Sequence, residues 1–254
     1  FMWVAVGYGD NDSIAISYDG ITWQGRGKGD LTNFGVGIAW NGSMWVAVGS
    51  GDNDSIATSY DGLNWQGRGG KEDILTTNGE GIAWNSAHIG HVTINHPIVA
   101  ACEDITLNNS GSSLAYSNND GLSWRGLGNT VFKGDSFSIA NCNAWNGNVW
   151  VAGALFSNGV EHTLAYSYDG LQWTGLGKTL CSGAVNDVAW NGERWLAIGS
   201  DLDDGVNTKI ASSSDGITWY DASSSSISST ILNSGSCLAW NGSYWLAGGY
   251  GTGL

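Results

Sequence analysis

An all-β fold built from small four-stranded antiparallel sheets is predicted by three observations. Trp-Asn-Gly between two short apolar runs recurs along the 254-residue chain, a turn ending in Gly-x-x-Trp recurs between its copies, and the apolar segments are 4–7 residues long. Segments this short, rich in β-branched and aromatic side chains, read as strands, because a helix needs a longer run with a 3.6-residue period. Composition agrees. Forty glycines, 15 tryptophans and one proline (Pro97), with 13% charged residues, suit short strands and tight turns and exclude a disordered chain.

The repeat at residues 35–69 gives the element order. Strand A is 36–40 and strand B is 44–49, joined at Asn41-Gly42, which predicts a two-residue type I′ turn with positive φ at both residues. A Gly/Asp/Asn loop leads to strand C at 55–59, Asp61-Gly62 turns the chain into strand D at 63–67, and a Gly-rich linker follows. The A–B hairpin recurs at 144–153, 189–199 and 239–248, with a broken copy from Ala83 and a headless one at the start.

The tryptophans fall into three sets of five. Strand A supplies Trp40, Trp84, Trp145, Trp190 and Trp240; strand B supplies Trp3, Trp45, Trp150, Trp195 and Trp245; strand D supplies Trp23, Trp65, Trp124, Trp173 and Trp219. No tryptophan is left over for a private role, so packing between neighbouring sheets is the expected use of all 15. Four short strands repeating at about 47 residues match the β-propeller signature, in which each sheet buries its faces against its neighbours. Strand B occurs six times against five for A and D. The expected ring is therefore a six-bladed β-propeller, with five or seven blades as alternatives. The chain then starts and ends in mid-blade, with approximate blades 1–34, 35–78, 79–139, 140–184, 185–234 and 235–254 in a single domain.

The turn between strands C and D reads Ser17-Tyr18-Asp19-Gly20-Ile21-Thr22-Trp23 and recurs at 59–65, 167–173 and 213–219, while Ser117 to Trp124 is one residue longer with Asn119 at the Asp position. This turn resembles the Asp-box, Ser-x-Asp-x-Gly-x-Thr-Trp, of sialidase-like (BNR) propellers. The resemblance implies a propeller fold with the box between the third and fourth strands. It makes Asp19, Asp61, Asn119, Asp169 and Asp215 structural caps, with the side-chain oxygen accepting backbone N–H groups of its own turn and the glycine supplying positive φ.

Sialidases of that resemblance hold their substrate with three arginines and use a tyrosine, a glutamate and an aspartate. Here Arg26 and Arg68 share one repeat position, Arg125 lies one residue earlier and Arg194 is in a hairpin turn, so three arginines converging on one ligand are not expected. No carboxylate pair, nucleophile elbow, phosphate loop or zinc helix stands out. A non-enzymatic chain is expected.

The formal charge of −14, from 23 acids against 9 scattered bases, excludes a nucleic-acid-binding face, which needs clustered Lys and Arg. No apolar run approaches the ~20 residues of a membrane-spanning helix, so membrane insertion is not expected. Cys102, Cys142, Cys181 and Cys237 show no paired spacing and read as buried free thiols.

Recognition is expected where the repeats differ, in the B–C loops and D–A linkers. That end is acidic, with Asp10 and Asp12, Asp52 and Asp54, Glu103 and Asp104, Glu161, then Asp201, Asp203 and Asp204. Such carboxylates suit a cationic partner or Ca²⁺, the one cofactor the sequence suggests. The third repeat carries an insertion with His88, His91 and His96, a second candidate site for a partner or metal. The expected function is a multivalent protein-binding module or surface-exposed assembly component, extracellular or on a particle or cell surface. A carbohydrate-binding lectin is the alternative, and a sialidase-like glycoside hydrolase a distant one.

Overall fold

The computed structural model describes residues 2–69, 77–84, 97–104, 111–135, 137–155, 158–178, 180–201, 208–223 and 234–250. It contains two compact units, Phe1–Asn129 and Thr130–Leu254. In the first unit, β1 (Trp3–Val6), β2 (Ile14–Ser17) and β3 (Gln24–Gly25) form the first sheet, and β4 (Phe34–Trp40), β5 (Trp45–Ser50), β6 (Ile56–Ser59) and β7 (Gln66–Gly67) the second. The third is the meander β8 (Asn78–Ala83), β9 (Ile98–Asp104), β10 (Leu114–Ser117) and β11 (Arg125–Gly126).

The second unit begins with the meander β12 (Ser138–Trp145), β13 (Trp150–Ala154), β14 (Leu164–Ser167) and β15 (Thr174–Gly175), here the fourth sheet. The fifth is β16 (Ala184–Trp190), β17 (Trp195–Ser200), β18 (Thr208–Ser213) and β19 (Tyr220–Asp221); the sixth pairs β20 (Ser234–Trp240) with β21 (Trp245–Tyr250). Every pairing within these sheets is antiparallel between sequence neighbours. In such a meander the A–B and C–D turns share one end of the sheet and the B–C loop and D–A linker share the other.

Two local expectations are corrected. The hairpin is not a type I′ turn: Asn41 N–H donates to the Met44 carbonyl at 3.0 Å, and Gly42, with φ 96°, is the only one of the pair with positive φ. Positive φ at the first of two central residues, Gly42-Ser43, is the type II′ pattern. The reason is the Asn41 side chain, whose carbonyl oxygen accepts the N–H groups of Ser43 (2.9 Å) and Met44 (2.7 Å). Strand D is also shorter than expected, two residues in each sheet that has it, because the C–D turn removes the residues before it from the ladder.

The core lies between successive sheets within each unit. Met44, Val46, Val48 and Ile56 of the second sheet pack against Ile98, Ala100, Cys102 and Trp124 of the third. Val149, Val151 and Leu164 of the fourth pack against Val185, Val188 and Trp195 of the fifth. Sheets approach closely where the first strand of one sheet crosses strand B of the sheet before it. A Cβ on Gly35 would lie 2.5 Å from Val6 Cβ, one on Gly79 2.6 Å from Val48 Cβ, and one on Gly235 2.3 Å from Ile198 Cδ1. Tryptophan burial is less complete than expected. Trp150, Trp195 and Trp124 are buried, whereas Trp3, Trp23 and Trp40 are exposed. Cys102, Cys142 and Cys181 are buried free thiols, but Cys237 is exposed.

Each of β4, β8, β12, β16 and β20 carries a register break, which leaves Val36, Glu80, Asn141, Asn186 and Ser236 as bulged residues. In the second unit these bulges link sheets. Asn141 Nδ2 donates to the Val185 carbonyl at 3.1 Å and Asn186 Nδ2 to the Gly235 carbonyl at 2.8 Å. Beside them Asp187 accepts the N–H groups of Val188 (2.8 Å) and Leu238 (2.7 Å), tying β16 to β20. Burial pushes its carboxyl up to about 6, against the opposing effect of those two N–H groups.

Two outcomes are expected. Gly79→Ala should lower stability by about 1–3 kcal/mol in urea unfolding, the usual range for overpacking. For Asp187 the folded chain keeps a proton that the unfolded chain has lost, so stability falls as pH rises from about 4 to about 6. Relative to Asp187→Asn, the wild type should gain about 2 kcal/mol as pH falls from about 7 to about 4; parallel pH-stability curves would contradict this.

Candidate functional site

At the loop end, the acids named from sequence divide by their surroundings. Asp12 Oδ1 accepts the Gly27 N–H at 2.6 Å, and Asp54 Oδ1 accepts the Gly69 N–H. Ser112 Oγ and His162 Nδ1 do the same for Gly128 and Gly177, both at 3.0 Å. This clamp ties the start of strand C to the end of strand D in four successive sheets. The glycine two residues earlier makes room for it: a Cβ on Gly25, Gly67 or Gly175 would fall 2.1–2.4 Å from the Asp12, Asp54 or His162 side chain. The repeated Gln-Gly-Arg-Gly is thereby explained, and only its repetition was visible in the sequence.

Asp201 is held in its own sheet. Its Oδ1 accepts the Ser182 N–H (3.0 Å) and hydroxyl (3.1 Å), and its Oδ2 pairs with Lys209 at 3.1 Å. Burial pushes its carboxyl up, but the Ser182 N–H and Lys209 more than offset it and hold it below the ordinary carboxylate value. Asp10, Asp52 and Glu161 are exposed. Asp104 ends β9, while Asp203, Asp204 and His88, His91 and His96 lie outside the described residues. Among the described residues no group of three or more His, Cys, Asp or Glu side chains is arranged to hold a metal ion.

Two groupings at this end were not legible from spacing. In the third sheet Glu80 lies beside the pair Asn78 and Glu103, where Asn78 Nδ2 donates to Glu103 Oε2 at 2.7 Å. Burial first, then the Glu103 charge, raises the Glu80 carboxyl; burial also raises that of Glu103, and Asn78 opposes both shifts. In the fourth sheet the D–A linker and the B–C loop enclose an open cleft of about 280 Å³, lined by Lys133, Asp135, Glu161 and His162. Asp135 N–H donates to the Asn158 carbonyl at 2.6 Å, and its carboxylate rests on Gly159, where a Cβ would lie 2.3 Å from Oδ1. The lining thus includes a cation, two carboxylates and an imidazole.

The turn end has a different chemistry. Asp19 Oδ1 accepts the N–H groups of Ile21 (2.8 Å) and Thr22 (2.7 Å) and the Ser17 hydroxyl (2.9 Å). Asp61, Asp169 and Asp215 make the same bonds in their own turns, and the Asn119 side-chain oxygen accepts the Ser123 N–H. The Thr22 N–H, then the Ile21 N–H, hold Asp19 well below the usual carboxylate range; the Asn64 N–H does so first for Asp61. The tryptophan ending each of four turns donates its indole N–H to the turn glycine carbonyl at 3.0–3.1 Å. On the adjoining hairpins the A and B tryptophans pair across the strands at 5.0–5.3 Å.

No family model and no curated protein matches the chain. Among solved structures it is similar to a nidogen/laminin complex, at 12% identity and TM-score 0.58 over 97% of this chain and 85% of that one. It is also similar to the GH74 xyloglucanase of Xanthomonas campestris, at 16% identity and TM-score 0.53 over 85% of this chain and 35% of that one. A third likeness, to the WD40 β-propeller domain of Doa1, has 10% identity and TM-score 0.48 over 96% and 64%. At these identities the first two likenesses concern fold alone. The fold is all-β and propeller-like, made of repeated sheets of about four strands.

The clamp makes a direct test of local structure. His162→Ala should cost about 1 kcal/mol by leaving the Gly177 N–H without its acceptor, whereas His162→Asp, which restores the side chain of the first two sheets, should cost less than half of that. Equal losses in urea unfolding would contradict the assignment.

Proposed function

We propose that the chain is a non-enzymatic, multivalent protein-interaction module on an Asp-box-type propeller of six blades. Five and seven blades are the alternatives. One observation carries the reading. At the loop end of successive sheets, a near-constant clamp stands beside side chains that differ from sheet to sheet: Glu80, Asn78 and Glu103 in the third, Lys133, Asp135 and Glu161 in the fourth. Variable groups on a fixed frame suit recognition of different parts of one partner, and weak contacts add through effective concentration. A similar fold in a nidogen/laminin complex supports a protein partner, and an extracellular or surface location belongs to the same proposal. The exposed acids Asp10, Asp52 and Glu161 favour a partner with basic groups at this end.

A lectin is the second reading, favoured by the exposed Trp3, Trp23 and Trp40 rings. A glycoside hydrolase is the third, favoured by the Glu80–Glu103 pair and the likeness to a xyloglucanase. The test screens arrays of secreted proteins and of glycans with the wild type and with a Lys133→Glu/Glu161→Lys variant. Protein binding lost in the variant is the expected result. Glycan binding accompanied by a tryptophan fluorescence change would establish the lectin instead. Turnover of a fluorogenic β-glucoside, abolished by Glu80→Gln or Glu103→Gln, would overturn the non-enzymatic reading.

A further inference from the structure

The exposed apolar surface lies at the turn end of the sheets, opposite the loops that vary. Ten of the 15 large apolar side chains exposed among the described residues sit on or beside the A–B and C–D turns. Three occupy one repeated position, the residue before the capping aspartate: Tyr18 is 67% exposed, Tyr60 66% and Tyr168 66%. A single exposed tyrosine needs no explanation, but the same phenol ring exposed to the same degree in three equivalent turns is a chemical repeat. Packing does not require it, because the fifth sheet keeps the turn, its caps and its glycine with Ser214 at that position.

The turn backbone fixes what stands beside each ring. One carboxylate oxygen of Asp19, Asp61 and Asp169 is engaged by turn N–H groups, which fixes each charge on the residue that follows an exposed tyrosine, and the second oxygen of Asp61 accepts the Asn64 side-chain amide at 2.8 Å. All five C–D turns carry an exposed aspartate (Asp19, Asp61, Asp120, Asp169 and Asp215), and the one base within the described A–B and C–D turns is Arg194. An aromatic face with a fixed anion beside it is complementary to a cation, which gains attraction to the ring and to the carboxylate together. Arginine fits better than lysine, because its planar guanidinium stacks on the ring while its N–H groups reach the carboxylate.

We infer that each of the Tyr-Asp-Gly turns at Tyr18–Asp19, Tyr60–Asp61 and Tyr168–Asp169 offers a second kind of interaction surface, which takes an arginine side chain of a basic polypeptide. Each turn is a weak site in its own right, and a flexible basic segment that meets more than one gains from the repetition. This surface is separate from the loop end proposed above.

The test measures binding of fluorescein-labelled octa-arginine to the whole chain by anisotropy at low salt, with octa-lysine and neutral cellohexaose alongside. The wild type should bind octa-arginine more tightly than octa-lysine, and salt should weaken both. Tyr18→Ser/Tyr60→Ser/Tyr168→Ser, which copies the residue already present at Ser214, should weaken octa-arginine by about fivefold or more. The single Tyr→Ser variants provide the same readout should the triple variant unfold. Tyr8→Ser/Tyr250→Ser, exposed tyrosines at the loop end with no aspartate next to them in the chain, should bind octa-arginine within about twofold of the wild type if the site is local. The inference is overturned if octa-arginine does not bind, if the tyrosine variants bind like the wild type, or if the loop-end variant loses the binding. Cellohexaose binding that depends on the same tyrosines would overturn it in favour of a sugar platform. None of these outcomes bears on the loop-end protein screen, so the two readings stand or fall separately.

Discussion

Side-chain acceptors of backbone N–H groups hold both ends of these sheets, and the rest of the structure depends on them. The fourth strand of each complete sheet has two residues, too few for its own ladder to anchor it. Buried backbone groups need partners, and a two-residue strand supplies few. The aspartates of the C–D turns and the asparagines of the A–B turns supply them at one end; Asp12, Asp54, Ser112 and His162 supply them at the other. With both ends fixed, the sheets can approach closely enough that Gly35, Gly79 and Gly235 have no room for a side chain.

The sequence made the frame legible because the frame repeats. Strand order, turn positions and the capping role of Asp19, Asp61, Asp169 and Asp215 all follow from residues that recur at fixed offsets. What escaped was set by side chains meeting across sequence distance. Asp12 and Asp54 look like loop-tip acids until the Gly27 and Gly69 amides are placed beside them. His162 carries no local sign that it replaces them. Glu80 meets Glu103 only through the β8–β9 pairing, across 23 residues of sequence. The type of the A–B turn was misread for a related reason: the Asn41 side chain, not the backbone, takes the Met44 N–H.

The same division separates frame from function. Recurring residues at the turn end give three of the C–D turns the same tyrosine and aspartate; variable residues at the loop end produce a carboxylate pair in one sheet and a mixed-charge cleft in another. Within a net charge of −14, the carboxylates of Asp12, Asp19, Asp54, Asp61, Asp169 and Asp215 are each fixed by backbone donors. Both proposed surfaces require ends that hold their shape, since a loop that frays would lose the geometry before a partner arrived.

Native-state hydrogen exchange tests that rigidity most directly. The amides of Ile21, Thr22, Gly27, Gly69 and Gly177 lie outside regular strand ladders, yet each donates to a side-chain acceptor. The account predicts that they exchange slowly, within about tenfold of the amides of β5 and β13. Exchange at the rate of an unstructured peptide, with β5 and β13 still protected, would contradict it.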